Sequence, residues 1–216
     1  TCTATDVILI AGSQYELGAT PSSYIPTTIA TVTRAAETLT VPVANLPYDS
    51  TNMSIQVDGK MTYADSGNTN TTLPWRWRLN SSNILYNTIS TAGTRTGQPR
   101  FVQIQATSGA DEVIGANNVY SPNTNVPFNL AGRYGSTFIN GAHEGTLLTA
   151  NTTPTALPDL SATDLELGYL FMGTIGQFRM WSDDLGDAGL VAATLPSTEP
   201  SLQLTFDGSS TTSFTV

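Results

Sequence analysis

Short segments in which apolar and polar residues alternate constrain this chain more than any other feature. The clearest is Trp75-Arg-Trp-Arg-Leu79, where alternation places both tryptophans and Leu79 on one face and both arginines on the other. Met53–Val57 and Phe101–Gln105 alternate in the same way. More than ten short predicted strands, these among them, follow one another at a spacing of roughly 8–12 residues, separated by turn residues. This spacing is typical of an antiparallel β-sandwich or barrel, and we expect an all-β fold.

The composition supports this expectation, because it lacks the residues from which long helices are built. Serine and threonine together make 54 of the 216 residues, charged residues make 12%, and Lys60 is the only lysine. Threonine, valine, isoleucine and the aromatic residues favour strands. A single short helix is predicted over 182–194, where aspartates stand in the first turn, as the helix dipole favours.

Two dipeptides predict tight hairpin turns. Asp58-Gly59 follows one alternating segment and precedes another, and Asn140-Gly141 does the same later in the chain. Asp-Gly and Asn-Gly are the strongest short-range hairpin signals, since both central residues of a type I′ turn need positive φ.

The charge balance argues against two classes of partner. The net charge is −9 and the sequence pI is about 4.3, and no basic cluster exceeds the pair Arg76 and Arg78. Binding to nucleic acid through phosphate neutralisation is therefore disfavoured, and so is attraction to an anionic membrane surface. No stretch reaches the roughly 18 apolar residues of a membrane span, so we expect no membrane insertion. A surface with few charges and many hydroxyl groups suits sugar ligands.

The first 38 residues differ from the rest. Pro21 and Pro26 disfavour helix, and the β-branched residues over 27–33 favour extended backbone. We therefore divide the chain into an N-terminal strand and extended arm, 1–38, and a sandwich domain, 39–216. Extended segments without a core of their own gain order from a partner. We predict that the arm contacts a neighbouring subunit, through Tyr24, Ile25, Pro26 and Arg34.

The arm also resembles a known sequence. Residues 12–37, GSQYELGATPSSYIPTTIATVTRAAE, are similar to a segment that recurs in bacteriophage tail-fibre and other virion proteins, before a concanavalin-A-like (laminin-G-like) β-sandwich. The match is close from Glu16 to Glu37. It departs at Tyr15, where the family usually has leucine.

A second resemblance lies in the C-terminal half. The order AGRYGSTFING, LELG and GTIGQFRMWSDDLGDAGLVAAT, within 130–141, 165–168 and 173–194, resembles the C-terminal half of concanavalin-A-like domains. The two resemblances imply a concanavalin-A-like jelly-roll sandwich with one short helix and an extended N-terminal arm.

They also imply a function. The family suggests a phage virion protein, a tail-fibre or spike module, that binds host cell-surface polysaccharide and is located in the virion. Its expected protein partners are further copies of itself, in a homotrimer, and other virion proteins. Two alternatives stay open. One is a purely structural virion component, such as a capsid decoration, head fibre or fibre connector. It predicts that all three tryptophans are buried or lie in protein interfaces. The other is a glycan-degrading enzyme, which predicts a cleft with two carboxylates roughly 5–10 Å apart.

Aromatic residues are the candidate ligand contacts, because sugar CH faces stack on aromatic rings. Trp75 follows Pro74 at an expected strand start, which predicts an exposed rim position. For Trp77 and Trp181 the expectation is the core, as for most tryptophans on alternating strands. The candidate ligand-binding residues are Trp75, Tyr86, Tyr120 and Tyr134.

Metal and catalytic chemistry are not expected. Asp183, Asp184 and Asp187 offer oxygen ligands for Ca²⁺, but their spacing is not that of an EF-hand and a helix start favours acids anyway. We predict no metal site and no cofactor. His143 is the only histidine, no Gly-x-Ser-x-Gly motif is present, and Asp164 and Glu166 lack the third acid of the related glucanases. We therefore expect no catalysis.

Overall fold

The computed structural model describes residues 39–62, 71–91, 93–106, 109–120 and 125–196, together with Ala30 and Asn123. Over these residues the chain forms eleven β-strands, one α-helix and two short 3-10 helices at Val43–Asn45 and Gly93–Arg95. The strands and the helix are β1 Leu39–Val41, β2 Asn52–Met61, β3 Thr71–Asn80, β4 Asn83–Ser90, β5 Pro99–Gln105, β6 Ala110–Ile114, β7 Val126–Gly135, β8 Ile139–His143, β9 Thr146–Leu147, β10 Leu165–Leu167, β11 Gly173–Trp181 and α1 Gly186–Thr194. No helix among the described residues is long and apolar enough to cross a membrane.

The strands form two antiparallel sheets that pack face to face. The six-stranded sheet has the order β1-β10-β3-β4-β5-β6, and the five-stranded sheet has the order β11-β2-β7-β8-β9. All named strand pairs are antiparallel. The prediction of an all-β antiparallel sandwich with one short helix is confirmed. The arm residues Tyr24, Ile25, Pro26 and Arg34 lie outside the described residues, so their role stays a prediction.

Alternation along the strands decides which side chains enter the core. In β2, Met53, Ile55 and Val57 face inward and are fully buried, and Trp75 and Trp77 of β3 face them from the other sheet. The remaining large, fully buried side chains follow the same period of two on their own strands: Tyr134, Phe101, Phe128, Met61, Leu85, Ile89, Leu130 and Ile139. The core is one cluster between the two sheets.

Both predicted hairpin turns are wrong. Asp58-Gly59 lies inside β2 and Asn140-Gly141 lies inside β8. The glycines serve close packing instead: a Cβ on Gly59 would lie 2.1 Å from the Thr174 carbonyl oxygen, and a Cβ on Gly141 would lie 2.3 Å from the Phe101 ring. Glycine in a strand interior is typical where a neighbouring group approaches this closely.

Helix α1 covers part of the outer face of the five-stranded sheet. It is the helix that the sequence predicts, although it begins at Gly186 rather than near residue 182. Leu190 packs on Ala131 and Ala142, which point away from the main core. This packing leaves the outer face of the six-stranded sheet on the opposite side of the molecule from α1.

Candidate functional site

Three of the four candidate ligand-binding residues, Trp75, Tyr120 and Tyr134, belong to the core. Trp75 is fully buried, with its ring edge-on to those of Tyr134 and Phe178 at 5.9 and 6.5 Å between centroids. The prediction of an exposed rim position is wrong because β3 begins before Pro74, at Thr71, and the ladder is irregular between Thr72 and Trp75. A proline is tolerated where strand pairing is interrupted, so it does not mark the strand start.

Tyr134 is also a core residue. It is fully buried and its hydroxyl donates a hydrogen bond to Asn87 Oδ1. Burial raises the pKa of its phenol well above the ordinary value, as expected when water cannot reach the charged form. Phe128, Leu130 and Tyr134 share the inward face of β7. Its role as a surface ligand contact is therefore corrected.

Tyr120 is buried as well, with only 3% of its surface exposed. Its hydroxyl lies 3.3 Å from Glu144 Oε1, and its ring meets the ring of His143 edge-on. The ring is not available as a stacking platform for a sugar. Tyr120 instead borders a second groove, considered further below.

Tyr86 is the one candidate that lies on the outer face of a sheet. It is half-buried on β4, directly opposite Arg76 of β3. The ion pair Arg100–Glu112 lies beside it on β5 and β6. Burial raises the pKa of the Tyr86 phenol; the charge of Arg100 lowers this pKa and the charge of Glu112 raises it. The hydroxyl is therefore neutral and able to donate a hydrogen bond at neutral pH.

Arg76 is held rigidly next to Tyr86. Its Nε and Nη2 both lie 2.5 Å from Glu166 Oε2 on β10, the adjacent strand. The Tyr169 ring stacks on the guanidinium, 3.4 Å from Cζ to the ring centroid. Burial alone lowers the pKa of Arg76, but its hydrogen bonds to Glu166 and Tyr169 outweigh that effect and the pKa lies above its ordinary value. Arg76 is a fixed positive charge.

Arg78 is the more available of the two arginines of β3. Its side chain is exposed, and none of the ion pairs among the described residues includes it. It lines a groove of about 510 Å³ at the β1–β10–β3 end of the sheet. The groove is formed by Thr40, Arg76, Arg78, Leu79, Ala162, Thr163, Asp164 and Glu166. Within the described part of the chain no carboxylate pairs with Arg78, and its guanidinium faces a shallow, open groove.

We name this surface the arginine–tyrosine face and define it by Arg76, Arg78, Tyr86, Glu166 and Tyr169. The strict alternation of the β3 sequence correctly predicts that both arginines face away from the core. The contributions of Glu166 and Tyr169 were not predicted, because they depend on pairing between strands about 90 residues apart. Chemically, the face offers guanidinium donors, a phenol and half-exposed aromatic edges.

The other tryptophans divide between core and surface. Trp77 is fully buried, as expected, and its indole N–H donates to the Thr163 carbonyl at 2.7 Å. Trp181 is only partly buried, on the outer face of β11, where Arg179 lies 5.9 Å from its ring centroid. The expectation of a core position for Trp181 is therefore wrong, since it lies on an edge strand with one side open.

The acidic residues before α1 have a structural role. Asp184 and Asp187 both form ion pairs with Arg133 of β7, and Asp187 also accepts a hydrogen bond from the Asn140 side chain. These contacts anchor α1 to the five-stranded sheet. Across the part of the chain that the structure describes, no group of three or more metal-ligating side chains is assembled.

Asp164 and Glu166 share the groove but both are engaged. Asp164 Oδ1 accepts the Val43 backbone N–H at 2.9 Å, and Glu166 is paired with Arg76. His143, the lone histidine of the sequence, is 8% exposed, and its Nδ1 finds no hydrogen-bond partner among the described residues. Burial lowers the pKa of His143.

Comparison with known proteins identifies the architecture. No protein-family model matches the sequence, and no curated protein is similar to it. Among solved structures, the CBM40 domain of the Ruminococcus gnavus IT-sialidase superposes with a TM-score of 0.51 at 14% identity, over 68% of this chain and 84% of that one. The chain shares the β-sandwich fold of this domain.

Two further structures have the same fold. The CBM40 domain bound to α2,6-sialyllactose superposes with a TM-score of 0.50 at 14% identity, over 67% of this chain and 83% of that one. The leech intramolecular trans-sialidase complexed with 2,7-anhydro-Neu5Ac gives a TM-score of 0.54 at 17% identity, over 69% of this chain. The alignment covers only 24% of the trans-sialidase chain. At these identities the likeness establishes the fold.

Proposed function

We propose that this protein is a non-catalytic carbohydrate-binding module whose arginine–tyrosine face binds acidic glycans. The observation that carries the proposal is Arg78, an exposed arginine without an ion pair among the described residues, in a groove beside the fixed charge of Arg76. The chain has a net charge of −9. Two arginines and two carboxylates line the groove, and because Glu166 pairs with Arg76 and Asp164 accepts the Val43 N–H, Arg78 is the group left to bind an anion.

The chemistry of the face favours a carboxylated sugar. A guanidinium binds a carboxylate through two parallel hydrogen bonds, and it is less strongly hydrated than an ammonium group. Thr163 lines the groove and Tyr86 lies opposite Arg76 on the neighbouring strand, so both offer hydroxyl groups near the arginines. The related domain that binds sialyllactose supports a ligand of this class, because sialic acid carries a carboxylate.

The absence of catalysis is part of the proposal. Both carboxylates that line the groove, Asp164 and Glu166, already accept hydrogen bonds from within the protein. A glycosidase instead needs one carboxyl group to protonate the leaving group and another to act as nucleophile or base. A glycan that binds the protein is expected to show no change in mass by mass spectrometry after incubation with it.

We further propose that the module is displayed on a phage particle as part of a trimeric tail fibre or spike that adsorbs to host polysaccharide. The support is the resemblance of residues 12–37 to virion proteins. Shallow sites bind weakly, and display of several copies raises the overall avidity. Sedimentation of the full chain tests the trimer, and adsorption of particles that carry Arg78→Gln tests the role in attachment.

A glycan array tests the binding proposal. The wild type is expected to bind carboxylated glycans in preference to neutral ones, and Arg78→Gln is expected to lose about tenfold or more in affinity. Lys60→Gln is the matched control, because it removes the same charge from an exposed position on the five-stranded sheet. An equal loss of glycan affinity in both variants would indicate a general effect of net charge and would contradict a binding site at Arg78.

A purely structural virion component is the second candidate. That alternative predicts three tryptophans buried or in protein interfaces; Trp75 and Trp77 are fully buried, whereas Trp181 is partly exposed on β11. A folded, correctly assembled protein that binds no glycan on the array would favour it.

A further inference from the structure

A second groove, of about 540 Å³, lies on a different part of the sandwich from the arginine–tyrosine face. Its described lining is Val119, Tyr120, Asn123, Asn125, Val126, Pro127 and Glu144. These residues belong to the segment between β6 and β7, the start of β7, and the turn between β8 and β9. We name it the acidic pocket.

Glu144 is fixed in this pocket by three contacts. Its Oε1 accepts the Asn129 backbone N–H at 2.7 Å and lies 3.3 Å from the Tyr120 hydroxyl, and its own N–H donates to the Asn129 carbonyl at 3.2 Å. Its φ is +46° because Glu144 and Gly145 form the two-residue hairpin turn between β8 and β9, in which both residues take positive φ.

The second carboxylate oxygen is available to a ligand. Glu144 is exposed on one side, and no hydrogen bond among the described residues uses Oε2. Burial raises the pKa of Glu144, hydrogen bonds from Asn129 and Tyr120 lower it, and the charge of Asp58 raises it again. None of the ion pairs between described residues includes Glu144, so no described positive charge compensates its carboxylate.

The remaining lining residues define the shape of a ligand. Val119, Val126 and Pro127 form apolar walls, and Asn125 adds a polar side chain at the rim. None of the described lining residues is a lysine, arginine or histidine. A protonated amine on a small ring complements this arrangement: its charge meets the carboxylate and its CH groups meet the walls.

We infer that the acidic pocket is a second binding site, specific for an amine-bearing sugar ring, with Glu144 as the residue that recognises the ammonium group. This site is distinct from the arginine–tyrosine face in both position and sign of charge. The arginines suit a carboxylate and the pocket suits an ammonium group. That the ring is a sugar rests on the proposed function, whereas recognition of the ammonium group rests on Glu144.

The experiment is an NMR titration of the ¹⁵N-labelled full chain with D-glucosamine at about pH 6.5, where an amine is protonated. D-Glucose and N-acetylglucosamine are the neutral controls. We expect saturation at roughly millimolar concentration, with the largest shifts at the amides of Asn129 and Glu144. The neutral sugars are expected to bind at least about tenfold more weakly, because they lack the charge-assisted hydrogen bond.

Two variants separate the sites. Glu144→Gln keeps an oxygen acceptor for the Asn129 N–H but removes the charge, and it is expected to reduce glucosamine affinity about tenfold. Arg78→Gln is expected to bind glucosamine as the wild type does. Equal affinity for glucose and glucosamine, unchanged affinity in folded Glu144→Gln, or shifts confined to other regions of the wild type would each overturn the inference.

Discussion

The two buried tryptophans of β3 differ in one atom-level feature that sets their sensitivity to substitution. Both indoles are fully buried in the same core, but the Trp77 N–H donates to the Thr163 carbonyl whereas the Trp75 N–H has no acceptor in the described structure. Replacing each by phenylalanine removes a similar amount of apolar contact, which costs about 1–2 kcal/mol at either position.

The hydrogen bond then separates the two variants. Trp77→Phe also leaves the Thr163 carbonyl without its partner, which adds about 1–3 kcal/mol. Trp75→Phe removes a buried donor whose burial without a partner already costs about 1–3 kcal/mol, so the two effects offset one another. We expect Trp77→Phe to lower the free energy of unfolding by about 2 kcal/mol more than Trp75→Phe does.

Urea denaturation measures this difference. If the free energy of unfolding falls by about 2 kcal/mol per molar urea, the unfolding midpoints of the two variants are expected to differ by about 1 M. Equal m-values in both variants would show that only the folded state changed. If Trp75→Phe proved as destabilising as Trp77→Phe, the argument from the unpaired indole N–H would be refuted.

Two further predictions concern packing and pH. Gly141→Ala is expected to destabilise the protein by about 1–3 kcal/mol in thermal denaturation, because its Cβ would lie 2.3 Å from the Phe101 ring. Gly93→Ala is the comparison: its Cβ would meet nothing within 4 Å, so it is expected to reduce the stability less, despite the positive φ of Gly93. Burial lowers the pKa of His143 in the folded state. Below about pH 6.5 the histidine therefore binds a proton in the unfolded chain but not in the folded protein. Because the unfolded state binds more protons, the free energy of unfolding decreases as the pH falls below this value. His143→Gln is expected to remove this decrease in urea titrations at several pH values. The comparison is made in a Glu144→Gln background, because the raised pKa of that carboxyl acts in the opposite direction. An unchanged pH dependence in the His143 variant would contradict this assignment.

The sequence predicted the class of fold because alternation with a period of two is a strong signal wherever one face of a strand is buried. The pattern of β3 correctly separates Trp75 and Trp77 from Arg76 and Arg78. Leu79 shows the limit of the rule: it is 53% exposed, since the pairing of β3 with β4 is irregular after Arg78.

The errors have a common physical origin in long-range packing. Asn140-Gly141 reads as a turn locally, but the Phe101 ring from the opposite sheet requires a glycine there and the strand continues. Local pattern also made Trp75 appear exposed, because Pro74 resembles a strand boundary. Tyr134 alternates in step with Phe128 and Leu130, so all three side chains lie on the same face of β7, and this pattern indicates a core position for Tyr134.

The candidate site was only partly predictable. Tyr86 was named from the sequence. Its position on the outer face agrees with alternation along β4, because Leu85 and Ile89, on the other face of the strand, are buried. The partners of Arg76 come from the segment around β10. No local sequence pattern specifies that β10, rather than another strand, lies next to β3.

The most direct test of the central claim is a chemical-shift map of the ¹⁵N-labelled protein titrated with sialyllactose. The account predicts saturable shifts at Arg78, Tyr86, Thr163 and Glu166, on the outer face of the six-stranded sheet, and their loss in Arg78→Gln but not in Lys60→Gln. Saturable shifts located on the five-stranded sheet, or no shifts with any carboxylated glycan, would contradict a carbohydrate site on the arginine–tyrosine face.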